Sequence, residues 1–149
     1  MMADDTGFFN AFNKETSMST PLDITQQFFG SVGARDLPAI VALFADHIEW
    51  FVPGNFPWSG RRTEKAQVRD FFETMWPYTV AGKNEVLNSK MIASGNDVAL
   101  FATFRQTLVS TGQTFTVAVA AHLTIEDGKI VALNMVEDTM AVSAAFGFN

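Results

Sequence analysis

The sequence predicts an α+β fold in which an antiparallel sheet curls over N-terminal helices. Three observations carry this. Two amphipathic helix patterns come first, four long strand-like runs come last, and short turn signals between those runs suit an antiparallel meander. Hydrophobic residues make up 48% of the 149 and charged residues only 17%, so the chain has ample apolar surface to enclose under such a sheet.

Thr20-Pro21-Leu22-Asp23 opens the first helix. Thr20 can cap it, and Pro21 gives up only an N–H that has no partner in the first turn. Ile24, Phe28, Phe29 and Val32 form its apolar side, and Gly33-Ala34-Arg35-Asp36 breaks it. Leu37, Ile40, Val41, Leu43 and Phe44 repeat at helical spacing and predict a second short helix. Ile48, Trp50 and Val52 then alternate with Glu49 and Phe51, a strand whose core side holds the first three and which Pro53-Gly54 ends. Residues Arg61 to Trp76 read as a third helix, with Val68, Phe71, Phe72, Met75 and Trp76 on one side and Pro77 as the stop.

Strands follow at Glu85 to Ile92, Val98 to Val109, Gln113 to Ile125 and Ile130 to Thr139. Gly95-Asn96-Asp97, Ser110-Thr111-Gly112 and Glu126-Asp127-Gly128-Lys129 supply the turns. The clearest register sets Phe115, Val117, Val119, Ala121, Leu123 and Ile125 on one face of their strand. Strict alternation then turns His122 away from that apolar row, and a single bulge would reverse the result. In the last strand Val131, Leu133, Met135 and Glu137 share a side, which makes Glu137 the carboxylate carried inward. The strand holding Arg105 admits either parity.

Ten basic against sixteen acidic residues give a net charge of −6. Such a surface repels a phosphate backbone, so nucleic acid is not an expected partner. With no cysteine, disulfides and thiolate chemistry are excluded. His47 and His122 lie far apart with no regular carboxylate spacing around them, so no metal is expected, and nothing calls for another cofactor. Residues 1–20 have neither a basic n-region followed by an apolar run nor the length of a membrane span. They are expected to form a mobile arm, with Phe8, Phe9 and Phe12 able to pack on a neighbouring subunit. Residues 21–149 are expected to form a single domain. No membrane partner is expected, and a cytoplasmic location is the default.

The segment FVPGNFPWSG concentrates rings, prolines and glycines between a strand and the next element. Trp50 and Val52 would be pocket wall, and Phe56 and Trp58 a lip over a small apolar or aromatic ligand; the alternative is that these rings only seal the end of the barrel. Phe28 and Met135 complete the candidate pocket. For chemistry, Glu137 suits a general base, because an apolar wall raises a carboxylate's pKa. Arg105 could orient it or stabilise an anionic substrate. An imidazole's unperturbed pKa lies near neutrality, and His122 would join them if a bulge turned it inward. Each has a plainer reading: a rim carboxylate, a surface ion pair, and a structural histidine on the outer face.

The ordered combination of ARDLPAIVALFADHIEWFVPG, PWSGRRTEKAQVRDFF and HLTIEDGKIVALNMVEDTMAVSAAF resembles the SnoaL-like branch of the nuclear-transport-factor-2-like superfamily, over roughly Pro21 to Phe146. The resemblance implies an open cone in which a strongly curved antiparallel or mixed sheet wraps around N-terminal helices, with a deep apolar pocket, commonly dimeric. It also implies kinship with ketosteroid isomerase, polyketide cyclases, limonene epoxide hydrolase, scytalone dehydratase and many proteins with no known reaction. The isomerase's general base would fall at Val52, its tyrosine at Phe28 and its acidic donor near Ala121, so steroid isomerisation is not implied. The cyclase and epoxide-hydrolase patterns place an acid or base in the final strand, where Glu137 and Asp138 stand.

Two functions remain open. One is cofactor-independent acid–base catalysis on a small hydrophobic substrate that is polyketide-like, a carbonyl compound or an epoxide. The other is a non-catalytic module of the same fold that binds a small molecule or a protein. A homodimer is expected through the sheet's outer face, where Ala118, Ala120 and Ala132 permit close approach.

Overall fold

The computed structural model describes residues 19–148. The expected N-terminal arm, with Phe8, Phe9 and Phe12, falls outside the described residues except for Ser19 and Thr20. In chain order the elements are α1 (Pro21–Ala34), α2 (Leu37–Ala42), β1 (Phe44–Val52), β2 (Gly60–Glu64), α3 (Val68–Met75), β3 (Glu85–Ser94), β4 (Asp97–Thr107), β5 (Thr114–Glu126), β6 (Lys129–Glu137) and α4 (Thr139–Phe146), with single 3₁₀ turns on either side of α3. The six strands form one sheet in the order β2-β1-β6-β5-β4-β3. Every neighbouring pair is antiparallel except β1 with β6, so the sheet is mixed; it curls over the helices without closing.

α1 starts as its sequence dictates. The Asp23 N–H donates to Thr20 Oγ1 at 3.1 Å and the Thr20 N–H donates to Asp23 Oδ2 at 3.1 Å, a reciprocal box that satisfies two otherwise orphaned donors. Arg35 ends the helix in the left-handed region at φ 53°, and its guanidinium reaches the Trp76 carbonyl and both oxygens of Thr79 while stacking over the Trp76 ring. That single side chain ties α1 to the segment after α3. Ile24 and Phe28 then face inward, Phe28 meeting Phe44 and Phe72 edge-on at 5.7 and 6.4 Å.

The expected third helix is corrected at its N-terminal end. Gly60–Glu64 is a strand, β2, pairing with β1, and the α-helix begins only at Val68. The polar run Arg61-Arg62-Thr63-Glu64 gives no apolar alternation because its one inward residue is itself an arginine. Arg62 is 6% exposed, donates to the Trp58 carbonyl at 3.0 Å, pairs with Asp70 of α3 at 3.1 Å and lies over the rings of Trp50 and Phe71. A second correction moves Phe44 from the end of α2 to the start of β1. The final strand stops at Glu137, and α4 takes up the residues that follow.

β5 has the register that its alternation predicts. Val117, Val119, Ala121, Leu123 and Ile125 are buried, with Thr116, Ala118 and His122 exposed between them. A bulge does occur between β5 and β6, but it lies beyond His122, between Thr124 and Ile125. It brings Ile130, fully buried, into the core row ahead of Leu133, in the place expected for Val131.

Candidate functional site

Under the curl of the sheet lies a cavity of about 200 Å³. α1 contributes Phe28 and Phe29, β1 contributes Trp50, α3 contributes Phe71, Phe72 and Met75, and the inner rows of β4, β5 and β6 form the opposite wall. Asn84 and the exposed Val86 stand at its mouth. The lining is otherwise almost wholly apolar. Among the described residues only Asn84, Gln106 and Glu137 bring an amide or carboxyl group to it, and no lysine, arginine or histidine lines it.

Glu137 reaches the cavity because Leu133, Met135 and Glu137 follow one another at a spacing of two on β6, with Glu137 opposite Val119 of β5. Burial pushes its carboxyl above the ordinary carboxylate range, and no hydrogen bond or cation from the described residues offsets the effect. The adjacent Asp138 has a different task. It caps α4, its Oδ1 accepting from the Ala141 N–H at 3.0 Å. Parity on the last strand thus separates a helix-capping carboxylate from one that faces the cavity.

The Pro/Gly-rich loop after β1 is held by Ser59, whose hydroxyl donates to the Pro53 carbonyl and accepts from the Phe56 N–H, both at 3.0 Å. Gly54, at φ 98°, is required twice over: a Cβ there would meet the Phe56 ring at 2.5 Å. The tight turn stacks Phe56 on Trp58 at 5.3 Å, and Trp58 packs in turn on Tyr78, Phe146 and Phe148. Trp58 therefore forms cavity wall while Phe56 lies behind it, outside the lining. Both rings are buried, Trp58 facing the cavity and Phe56 packed against it.

Of the candidate residues, the cavity gathers Glu137, Trp50, Trp58, Phe28 and Met135. Val52 is buried in the core beyond it. Arg105 is corrected to the other face. Phe104 and Gln106 point in, so alternation turns Arg105 out, where it pairs with Glu85 at 2.9 Å. His122 also stands on the outer face, its Nε2 2.9 Å from Asp97 Oδ1, an oxygen that also accepts from the Thr124 hydroxyl at 2.8 Å. Neither side chain is available to Glu137. His47 pairs with Glu64 at the surface.

The sequence did not single out Gln106, Asn84, Val142 or Phe146 as lining. For Gln106 a signal existed, since Val98, Leu100, Ala102 and Phe104 make a more apolar row than Ala99, Phe101 and Thr103, and that row leads to Gln106. For α4 none did, because Thr139–Phe146 carries only Thr139 and Ser143 as polar residues and small alanines among the rest, which leaves no clear inward stripe. Among the described residues there is no group of three or more His, Asp or Glu able to hold a metal ion, and no helix is long and apolar enough to cross a membrane.

Residues 25–133 match the SnoaL-like domain. The chain belongs to the SnoaL-like family. The fold recurs in solved structures of the nuclear-transport-factor-2-like superfamily to which that family belongs. A nuclear-transport-factor-2-like protein from Burkholderia xenovorans is 23% identical, with a TM-score of 0.75 over 87% of this chain and 99% of its own. A candidate polyketide cyclase from Pseudomonas putida is 18% identical, with a TM-score of 0.73 over 83% and 96%. TerC, co-crystallised with polyporic acid, is 20% identical, with a TM-score of 0.76 over 87% and 99%. These likenesses concern the fold. No curated protein matches the chain.

Proposed function

We propose that this SnoaL-like protein carries out cofactor-independent acid–base chemistry on a small hydrophobic substrate, with Glu137 as the proton-transferring group. The observation that carries the reading is the position of Glu137: a lone carboxyl on an apolar cavity wall, held above its ordinary pKa by burial. A carboxyl poised nearer neutrality can take a proton from carbon and return it elsewhere on the same molecule, so one group can serve an isomerisation or a ring closure. The rings of Phe28, Trp50 and Trp58 and the thioether of Met135 would hold the substrate's apolar body. Polyketide-like, carbonyl and epoxide compounds all fit this description. A co-crystallised polyporic acid in TerC and a candidate cyclase among similar folds support a small-molecule ligand.

The test is turnover by purified, metal-free protein across a panel of small cyclic ketones, poly-β-keto esters and epoxides. Glu137→Gln keeps the shape and removes the titrating group, and should abolish turnover without unfolding the protein. Undiminished turnover in that variant would remove Glu137 from the role.

A second reading is favoured by one observation. Among the described residues Glu137 is the cavity's only titratable lining group, so no partner acid is at hand. A non-catalytic binding module would need only the apolar walls. A ligand that binds tightly and is recovered unchanged would select it.

We also propose a homodimer through the outer face of the sheet, where Phe101 is 50% and Val136 65% exposed near Ala118, Ala120 and Ala132. Light scattering should then give twice the monomer mass; a monomer at every concentration would contradict it. The single domain beginning at residue 21, the soluble cytoplasmic setting, and the absence of metal, cofactor and nucleic-acid partners belong to the same reading.

A further inference from the structure

We infer that the cavity selects uncharged ligands, compounds of one or two rings bearing carbonyl or hydroxyl groups, and excludes carboxylates and phosphates. This deepens the proposed function and rests on it only for the claim that the cavity is the ligand site. The argument concerns charge, size and the placing of the polar groups.

The charge argument comes from the lining. An anion entering an apolar cavity loses its hydration and needs a cation or several aimed donors in exchange. Here no lysine, arginine or histidine lines the wall. Arg105 pairs with Glu85 outside, and the buried Arg62 donates to Asp70 and the Trp58 carbonyl against the Trp50 and Phe71 rings without lining the cavity. The one ionisable lining group is Glu137, which an anionic ligand would confront with a second negative charge.

The size argument uses the volume. An apolar cavity of about 150 Å³ accepts benzene, so about 200 Å³ accepts a substituted ring, or two rings where the mouth at Asn84 and Val86 lets part of the ligand project.

The amide and carboxyl groups sit at two places, and the Trp50 indole N–H, buried with no hydrogen-bond partner among the described residues, adds a neutral donor on the wall. The register that pairs Glu85 with Arg105 sets Asn84 beside Gln106 across the β3–β4 ladder. The two amides offer both donors and acceptors without charge, which suits a ketone or a hydroxyl. Glu137 lies two strands away, opposite Val119. The ligand's polar groups are therefore read by amides at the mouth and by a carboxyl within.

The experiment compares acetophenone with benzoate, which share size and shape and differ in charge, together with their naphthalene analogues. Binding to the full chain is followed by NMR at about pH 8, where benzoate is ionised. The neutral member of each pair should bind about tenfold or more tightly than the anion. Glu137→Gln should narrow that gap by improving the anion, and Gln106→Leu should weaken the ketone relative to a hydrocarbon ring such as toluene. Equal binding of ketone and anion to the wild type, or no binding of either neutral ketone at millimolar concentration, overturns the inference. Failure of the catalytic reading looks different: the neutral preference persists, and no neutral compound is turned over.

Discussion

Substituting Ala121 by Leu separates an open cavity from a filled core by the sign of its effect on stability. Ala121 sits mid-strand on β5, buried, with its side chain on the cavity wall between Val119 and Leu123. Leucine adds three carbons at that point. If they enter free space, burial at about 0.8 kcal/mol per methylene contributes about 2.4 kcal/mol, and fixing the longer side chain removes about 0.5–1 kcal/mol of it. The net gain of about 1.5 kcal/mol should raise Tm by about 3–6 °C in a chain of this size. The same substitution occupies ligand space, so acetophenone binding should fall to background. If instead the interior were already filled, the added atoms would force off-rotamer side chains and destabilise by about 1–3 kcal/mol. Urea unfolding with a ligand titration reads both quantities. A lowered midpoint with ligand binding intact would refute the reasoning.

Two further outcomes follow from the ties described above. Arg35→Ala removes three hydrogen bonds, to the Trp76 carbonyl and the two Thr79 oxygens, and should lower unfolding stability by about 2–3 kcal/mol. Arg35→Gly loses the same bonds but relieves the left-handed φ of 53°, so it should be about 1 kcal/mol more stable than the alanine variant; equal stabilities would show that the backbone there is unstrained. On the outer face, hydrogen bonds from His122 and Thr124 hold the Asp97 carboxyl below its ordinary range. With the folded pKa depressed, the Asp97 contribution to stability is present above the unfolded value and is lost as pH falls through the folded one. His122→Ala should move the Asp97 carbon-detected NMR titration upward, and an unmoved titration would show that the hydrogen bond does not persist in solution.

The α+β order and the inner faces of β1 and β5 were legible because no polar residue interrupts the inner row over Ile48–Val52 or Phe115–Ile125. Ile48, Trp50 and Val52 against Glu49 left no choice, and neither did Val117 to Leu123 against Thr116 and His122. Legibility ended where a face carried mixed polarity. β2 was hidden because its inward residue is Arg62, whose burial depends on Asp70, the Trp58 carbonyl and two rings that only the fold brings together. Arg105 was left open because Phe101 puts a ring on its own outward row, although the more apolar row from Val98 to Phe104 leads to Gln106 and so turns Arg105 out. Phe56 and Trp58 differ for a reason of turn geometry, since the backbone at Gly54 and the hydroxyl of Ser59 determine which ring stands in front. Glu137 was singled out by its parity on the last strand, the strand in which the family resemblance also sets an acid or base. Its surroundings, which determine what its carboxyl can do, come from seven other elements.

The central claim is that the Glu137 carboxyl faces an apolar cavity able to take a ligand, and an NMR titration of that carboxyl carbon, with and without acetophenone, tests it most directly. Burial disfavours the charged form, so the folded pKa lies above the unfolded one. The residue's contribution to stability therefore declines as pH rises from the unfolded value through the folded one, and Glu137→Gln should remove that decline. The account predicts a midpoint above the ordinary glutamate range that climbs further when a neutral ring displaces water from the cavity. An ordinary midpoint that ignores the ligand would contradict it.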